Sequence, residues 1–115
     1  MSEYKAKQGD IVWLEFNPAA GNEQRGRRPA VIISNNVANE FLNKRAVVCP
    51  ISSTNKGYPV QPVLDDNMKT AGVVLCDQVM AVDLIARHAE FIEEMPASIL
   101  NEIIDIVYGM IEIDI

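Results

Sequence analysis

Apolar runs and polar breaks alternate along most of the chain at the spacing of short β-strands, and the pattern turns helical only near the end. After Gly9-Asp10, the run Ile11-Val12-Trp13-Leu14-Glu15-Phe16 is rich in β-branched and aromatic residues and predicts a strand closed by Asn17-Pro18. Pro29-Ala30-Val31-Ile32-Ile33-Ser34 predicts a second strand, and its unbroken apolar run implies burial on both faces. Asn35-Asn36 is suited to turn the chain and cap a short helix over Val37 to Leu42. Arg45-Ala46-Val47-Val48-Cys49-Pro50-Ile51 predicts a third strand, and Val60 to Leu64 a short edge strand interrupted by Pro62. Asp65-Asp66-Asn67 reads as a turn, and Gly72 to Val82 as one bent strand or two in succession. From Pro96 to Ile111 the period changes. Ile99, Leu100, Ile103, Ile104, Val107, Met110 and Ile111 form one stripe opposite Asn101, Glu102, Asp105 and Glu112, which predicts an amphipathic helix packed on the sheet. No repeat or linker interrupts this order, so the prediction is one α+β domain over residues 1–115 with a mostly antiparallel sheet.

Charge adds an asymmetry. The formal net charge is -6, which argues against bulk affinity for nucleic acid, because non-specific binding to phosphates depends on Lys and Arg. Yet residues 1–57 carry net +3 and residues 58–115 carry net -9, which fits either an acidic body that repels RNA except at a basic groove or simply a soluble acidic protein. Neither a signal-peptide pattern nor a run long enough to span a membrane is present, and the protein is expected to be soluble and cytoplasmic. Cys49 and Cys76 lie inside apolar runs and read as core residues. With no glycine-rich phosphate loop, no cluster at metal-ligand spacing and His88 alone, neither a cofactor nor a metal is expected.

Two polar stretches carry candidate chemistry. Gly21-Asn22-Glu23-Gln24-Arg25-Gly26-Arg27-Arg28-Pro29 sets three guanidinium groups and one carboxylate between two strands, where planar, permanently charged forks can grip an anion with paired hydrogen bonds. Pro29 restricts Arg28 to extended backbone and is expected to hold it more firmly than Arg25 or Arg27. Ser52-Ser53-Thr54-Asn55-Lys56-Gly57-Tyr58-Pro59 combines hydroxyls, an ammonium and an aromatic ring, and suits either phosphate binding with base stacking or a plain hydroxyl-rich turn. Asp77 lies inside an apolar run. A buried carboxylate there would have to accept bonds from backbone N–H groups or from an arginine.

Six blocks in this order resemble the MazF/PemK family of toxins: Gly9-Asp10-Ile11-Val12-Trp13, Gly21-Asn22-Glu23-Gln24, Arg28-Pro29-Ala30-Val31, Pro50-Ile51-Ser52-Ser53, Lys56-Gly57-Tyr58-Pro59 and Gly72-Val73-Val74-Leu75-Cys76-Asp77-Gln78. The resemblance implies an SH3-like barrel of mostly antiparallel strands with short helices and a C-terminal amphipathic helix, the CcdB/PemK-like toxin fold. It implies a homodimeric, metal-independent endoribonuclease that cuts single-stranded RNA to 2',3'-cyclic phosphate and 5'-OH ends and is neutralised by a cognate antitoxin. By that resemblance Arg28 stabilises the phosphate, Ser52 supplies a hydroxyl where threonine is common, and Glu23 and Asp77 are carboxylates for proton transfer or for orienting Arg28. Arg25, Arg27, Ser53, Lys56, Tyr58 and Gln78 are the expected RNA contacts. The contrasting expectation is a non-catalytic member of the fold that acts by protein binding, as a gyrase poison or a regulatory module.

Overall fold

The computed structural model describes residues 4–55, 57 and 61–115. Within them the chain forms β1 (Asp10–Glu15), β2 (Arg27–Ile32), α1 (Asn36–Leu42), β3 (Arg45–Ser52), β4 (Val73–Val74), β5 (Met80–Asp83), β6 (Glu90–Glu94) and α2 (Ala97–Ile111). Every described strand pair is antiparallel, in the order β4-β3-β2-β1-β6, with β5 also on β3. The short helix α1 starts as its sequence dictates: the Asn35 side chain accepts a hydrogen bond from the Ala38 N–H, supplying a partner that the first helical turn lacks.

Two strands share one edge of β3. β5 lies opposite Arg45 to Val48, and β4 opposite Ile51 and Ser52. Between them the chain makes a 3-10 turn over Cys76–Gln78, so the long apolar segment resolves into two strands in succession. This corrects the expectation for Asp77. It sits exposed on the turn, so no buried carboxylate needs a partner there. The edge strand expected over residues 60–64 is also corrected: Val60 lies outside the described residues, and the remainder contributes only an isolated bridge between Val63 and Val73. Pro62 supplies no N–H to a ladder, and its carbonyl instead accepts from Val74 N at 2.9 Å.

The apolar runs are continuous because both faces of the sheet are covered. Ile11, Val31, Cys49, Ile51 and Val74 point to one side, where Ile99, Ile103 and Val107 of α2 pack on them. Val12, Leu14, Ala30, Ile32 and Val48 point to the other, closed by Val82, Leu84 and Phe16. Burying a side chain the size of Ile103 contributes roughly 1.5–3 kcal/mol, so the α2 stripe is a main fastening of the helix to the sheet. The buried part of that stripe ends at Val107, and Met110 and Ile111 are 45% and 72% exposed. Cys49 and Cys76 are free and buried, as expected of core residues. No helix among the described residues is long and apolar enough to cross a membrane.

Candidate active site

β2 begins at Arg27, two residues earlier than the apolar pattern predicts, so Arg27 and Arg28 belong to the strand and face Glu15 and Leu14 of β1 in register. On its other edge β2 pairs with β3 through Ala30–Pro50, Val31–Cys49 and Ile32–Val48. Continuing that register by two residues brings Arg28 opposite Ser52, at the rim where the ladder opens. The two residues separated by 24 positions in sequence are thereby neighbours in the fold, which the sequence motif by itself does not require.

The three arginines differ in what they already hold. Arg27 donates to the His88 carbonyl at 3.1 Å and forms an ion pair with Glu90 at 3.3 Å. Arg25 donates from Nη2 to the Gly21 carbonyl at 2.8 Å. Arg28 donates only from Nε, to the Arg25 carbonyl at 3.1 Å, and among the described residues its two terminal nitrogens have no partner. The expectation that Pro29 makes Arg28 the most firmly held is therefore corrected. Arg27 has the stronger anchors because its side chain reaches past β1 to Glu90 of β6 and to the His88 carbonyl, whereas Arg28 is oriented through one nitrogen and keeps its forked end for a ligand. Ser52 Oγ accepts from the Thr54 N–H at 3.1 Å, which fixes the hydroxyl while leaving its hydrogen to donate.

The loop that carries Glu23, Gln24 and Arg25 is tied to the 3-10 turn. The Gln24 N–H donates to Gln78 Oε1 at 2.9 Å, and Gln78 Nε2 reaches the Asn22 carbonyl at 3.4 Å. Glu23 accepts from the Ala20 N–H at 2.8 Å, and Gly26 donates to Asn17 Oδ1 at 3.1 Å. Gly26 has φ +73°, a left-handed turn into β2 that glycine adopts without strain. Gln78, expected as an RNA contact, thus holds the loop in place in this structure.

Six of the expected residues line two cavities, while Ser52 and Arg25 line neither. One of about 350 Å3 is lined by Arg27, Arg28 and Ser53, together with Trp13, Lys69 and Thr70. A second, of about 230 Å3, is lined by Glu23, Asp77 and Gln78 with Arg87. Among the described residues no hydrogen bond or ion pair joins Asp77 to Arg28, so the orienting contact is absent. Lys56 and Tyr58 lie outside the described residues. Another cavity, of about 900 Å3, opens near Tyr4, Lys7, Asn36 and Lys44 and includes none of the expected site residues.

Trp13, Lys69 and Thr70 are additions that the sequence reading missed. Trp13 carried a signal, an aromatic residue in a strand next to buried neighbours. Lys69 and Thr70 carried none, since their position depends on a contact from β6. Glu93 accepts from the Lys69 N–H at 3.1 Å, the Thr70 N–H at 2.7 Å and the Thr70 hydroxyl at 2.7 Å. Burial raises the Glu93 carboxyl, but those hydrogen bonds, first from the Thr70 hydroxyl, together with the nearby Lys69 charge outweigh it and leave the group below its ordinary range. A depressed carboxyl pKa stabilises the fold above the unfolded value of about 4.3 and loses that contribution as pH falls through the folded value. Wild-type protein is therefore expected to melt higher than Glu93→Gln at pH 6, with the gap closing by pH 3. A gap that is constant with pH would place the stabilisation elsewhere.

An antiparallel sheet with a helix packed on one face, and an arginine and a hydroxyl opposed at its rim, defines this chain as a small α+β protein with an anion-ready rim. Residues 7–108 match the family model described as PemK-like, MazF-like toxin of type II toxin-antitoxin system, and the chain belongs to that family. It is 40% identical over 93 residues to the endoribonuclease toxin MazF of Escherichia coli strain K12, covering 77% of this chain and 78% of that protein. Its fold is similar to that of MazF from Deinococcus radiodurans, with a TM-score of 0.89 at 36% identity, covering 96% of this chain and all of the other. A MazE-MazF structure from the same organism is similar at a TM-score of 0.84 and 36% identity, covering 97% of this chain and all of that one.

Proposed function

We propose that this chain cleaves single-stranded RNA without a metal ion, by attack of a ribose 2'-OH on the adjacent phosphate, leaving a 2',3'-cyclic phosphate and a 5'-OH. At the coarser level the chain is an endoribonuclease toxin with a cognate antitoxin as partner, on the strength of its family and of relatives such as MazF. The observation that carries the finer reading is the free fork of Arg28 opposite the Ser52 hydroxyl. Cyclisation builds negative charge on a five-coordinate phosphorus, and a fixed guanidinium with a hydroxyl donor stabilises that charge more than it stabilises the ground state. Arg28 takes the phosphoryl oxygens, and Ser52 donates to the same group. Glu23 and Asp77, exposed on the neighbouring cavity, are the carboxylates assigned to receive the 2'-OH proton, and as the P–O5' bond breaks the departing 5' oxygen takes up a proton from water to give the 5'-OH.

The protein acts in the cytoplasm as a homodimer, and the exposed apolar side chains Met110, Ile111 and Ile113 beyond the sheet support self-association. The antitoxin occupies the basic N-terminal half, where an acidic tail would be attracted. Incubating purified protein with single-stranded RNA in EDTA and sequencing the released ends tests the chemistry. The expected products carry 5'-OH and 2',3'-cyclic phosphate termini. Dependence on added metal, or cleavage undiminished in Ser52→Ala, would overturn the mechanism.

A further inference from the structure

Cys49 and Cys76 take no part in the site described above, yet the fold sets them against each other. Continuing the β3–β4 register from Ile51–Val74 by two residues places Cys49 directly opposite Cys76. Between them the Leu75 N–H donates to the Pro50 carbonyl at 2.8 Å, so Pro50–Leu75 is the hydrogen-bonded pair of the ladder and Cys49–Cys76 the adjoining non-hydrogen-bonded one. Opposed residues of that kind have Cα atoms about 4.5 Å apart and side chains on one face, within the roughly 4.4–6.8 Å that a disulfide spans. Both side chains belong to the core cluster that includes Ile51 and Val74, and both are free thiols. The Cys49 thiol donates to the Cys76 sulfur, which holds Cys76 below the usual thiol range against its burial, while that same bond and burial push Cys49 up. Neither thiol is open to solvent in the folded chain, but the residue after Cys76, Asp77, is exposed, so the pair sits just inside the turn.

We infer that Cys49 and Cys76 form an oxidisable dithiol, converted by hydrogen peroxide to an intramolecular disulfide that ties β3 to the 3-10 turn. Peroxide suits a buried pair because it is scarcely larger than water, whereas a bulky disulfide reagent would have to open the core. The Cys76 sulfur, as thiolate, attacks one peroxide oxygen, the O–O bond breaks, and the departing hydroxide takes up the proton that the thiol gave, leaving a sulfenic acid and one water. The Cys49 sulfur then attacks the Cys76 sulfur, the S–O bond breaks, and the departing hydroxide leaves with the Cys49 proton as a second water. Each sulfur gives up one electron and each peroxide oxygen gains one. The bond closes a ring over residues 49–76, which carries Ser52 and the cavity-lining Ser53, Lys69 and Thr70. Because the register already opposes the two cysteines, the ring forms with little displacement of the folded chain and acts chiefly by restricting the unfolded one. The pair is separate from the groups assigned to RNA, and its chemistry does not depend on them.

Reduced wild-type protein, freed of reductant, treated with hydrogen peroxide and then unfolded in N-ethylmaleimide, is expected to take up no maleimide, whereas untreated protein takes one on each of its two cysteines. Peptide mapping of the treated protein should give one linked pair, Cys49 to Cys76, which dithiothreitol separates. The oxidised protein is expected to melt about 5–15 °C above the reduced one and to return to the lower midpoint in dithiothreitol. Cys49→Ala should stop at the sulfenic acid on Cys76, which dimedone captures, and should gain nothing in midpoint from peroxide. If that variant does not fold, the mapping and the melting shift of the wild type decide by themselves. Folded wild-type protein that still takes up two maleimides after peroxide would overturn the inference. So would oxidation that yields only sulfinic acid, or a disulfide formed only between chains or only in urea. A Cys49–Cys76 bond that leaves the midpoint unchanged or lower would overturn it as well, since the register would then not have brought the two sulfurs within reach.

Discussion

Replacing Arg28 with alanine is expected to lower kcat/KM for RNA about 10²–10³-fold, equivalent to roughly 3–4 kcal/mol of transition-state stabilisation. The loss should reach this size because Arg28 is exposed at a strand rim, has no partner for its terminal nitrogens among the described residues and lies opposite Ser52 by the β2–β3 register. The same exposure means that little of the fold depends on it, since its one described side-chain bond is to the Arg25 carbonyl. The thermal midpoint of Arg28→Ala should therefore stay close to that of wild type. Arg28→Lys keeps the charge and loses the fork, so it should fall between the two. Single-turnover cleavage of a labelled RNA, read beside a melting curve, checks both halves. Cleavage by Arg28→Ala within a few-fold of wild type would remove this residue from the chemistry.

The second large effect should come from a residue with no functional group. Gly72 leads into β4, with φ +123°, and a Cβ placed there would lie 2.0 Å from the Ser52 carbonyl oxygen and 2.9 Å from its carbonyl carbon. Both atoms are backbone, so no side-chain rotation relieves the clash, and the backbone angle is one that alanine rarely adopts. Gly72→Ala is expected to destabilise the protein by about 3 kcal/mol or more, measured by urea unfolding. The atoms displaced belong to the residue that carries the candidate hydroxyl. Activity should accordingly fall even at temperatures where the variant remains folded, which separates it from a core substitution such as Ile103→Val. Full activity of folded Gly72→Ala would mean that the strand end can shift without moving the Ser52 hydroxyl out of place.

The elements were legible in the sequence where local chemistry decides them. Asn35 caps α1, the stripe of Ile99, Ile103 and Val107 sets the buried face of α2, and the unbroken run after Pro29 signals a strand covered on both sides. The motif order also carried Arg28 and Ser52 as a pair of interest. The environment of Asp77 was not legible, because an apolar run looks alike whether it continues as strand or breaks at a 3-10 turn. The difference arises from β4 and β5 sharing one edge of β3. Nor could the ranking of the three arginines be read from their spacing, since Glu90, the partner of Arg27, comes from a strand 63 residues further along.

By itself, then, the sequence determined the apolar periods, the caps and the residue types of the candidate site, all of which depend on neighbours a few positions away. The tertiary structure decided which guanidinium is committed and which is free, how Glu93 brings Lys69 and Thr70 to the cavity, and why position 72 has no room for a side chain. Those outcomes are set by strand register and by contacts between distant segments, and register becomes fixed only when the two faces of the sheet find their cover.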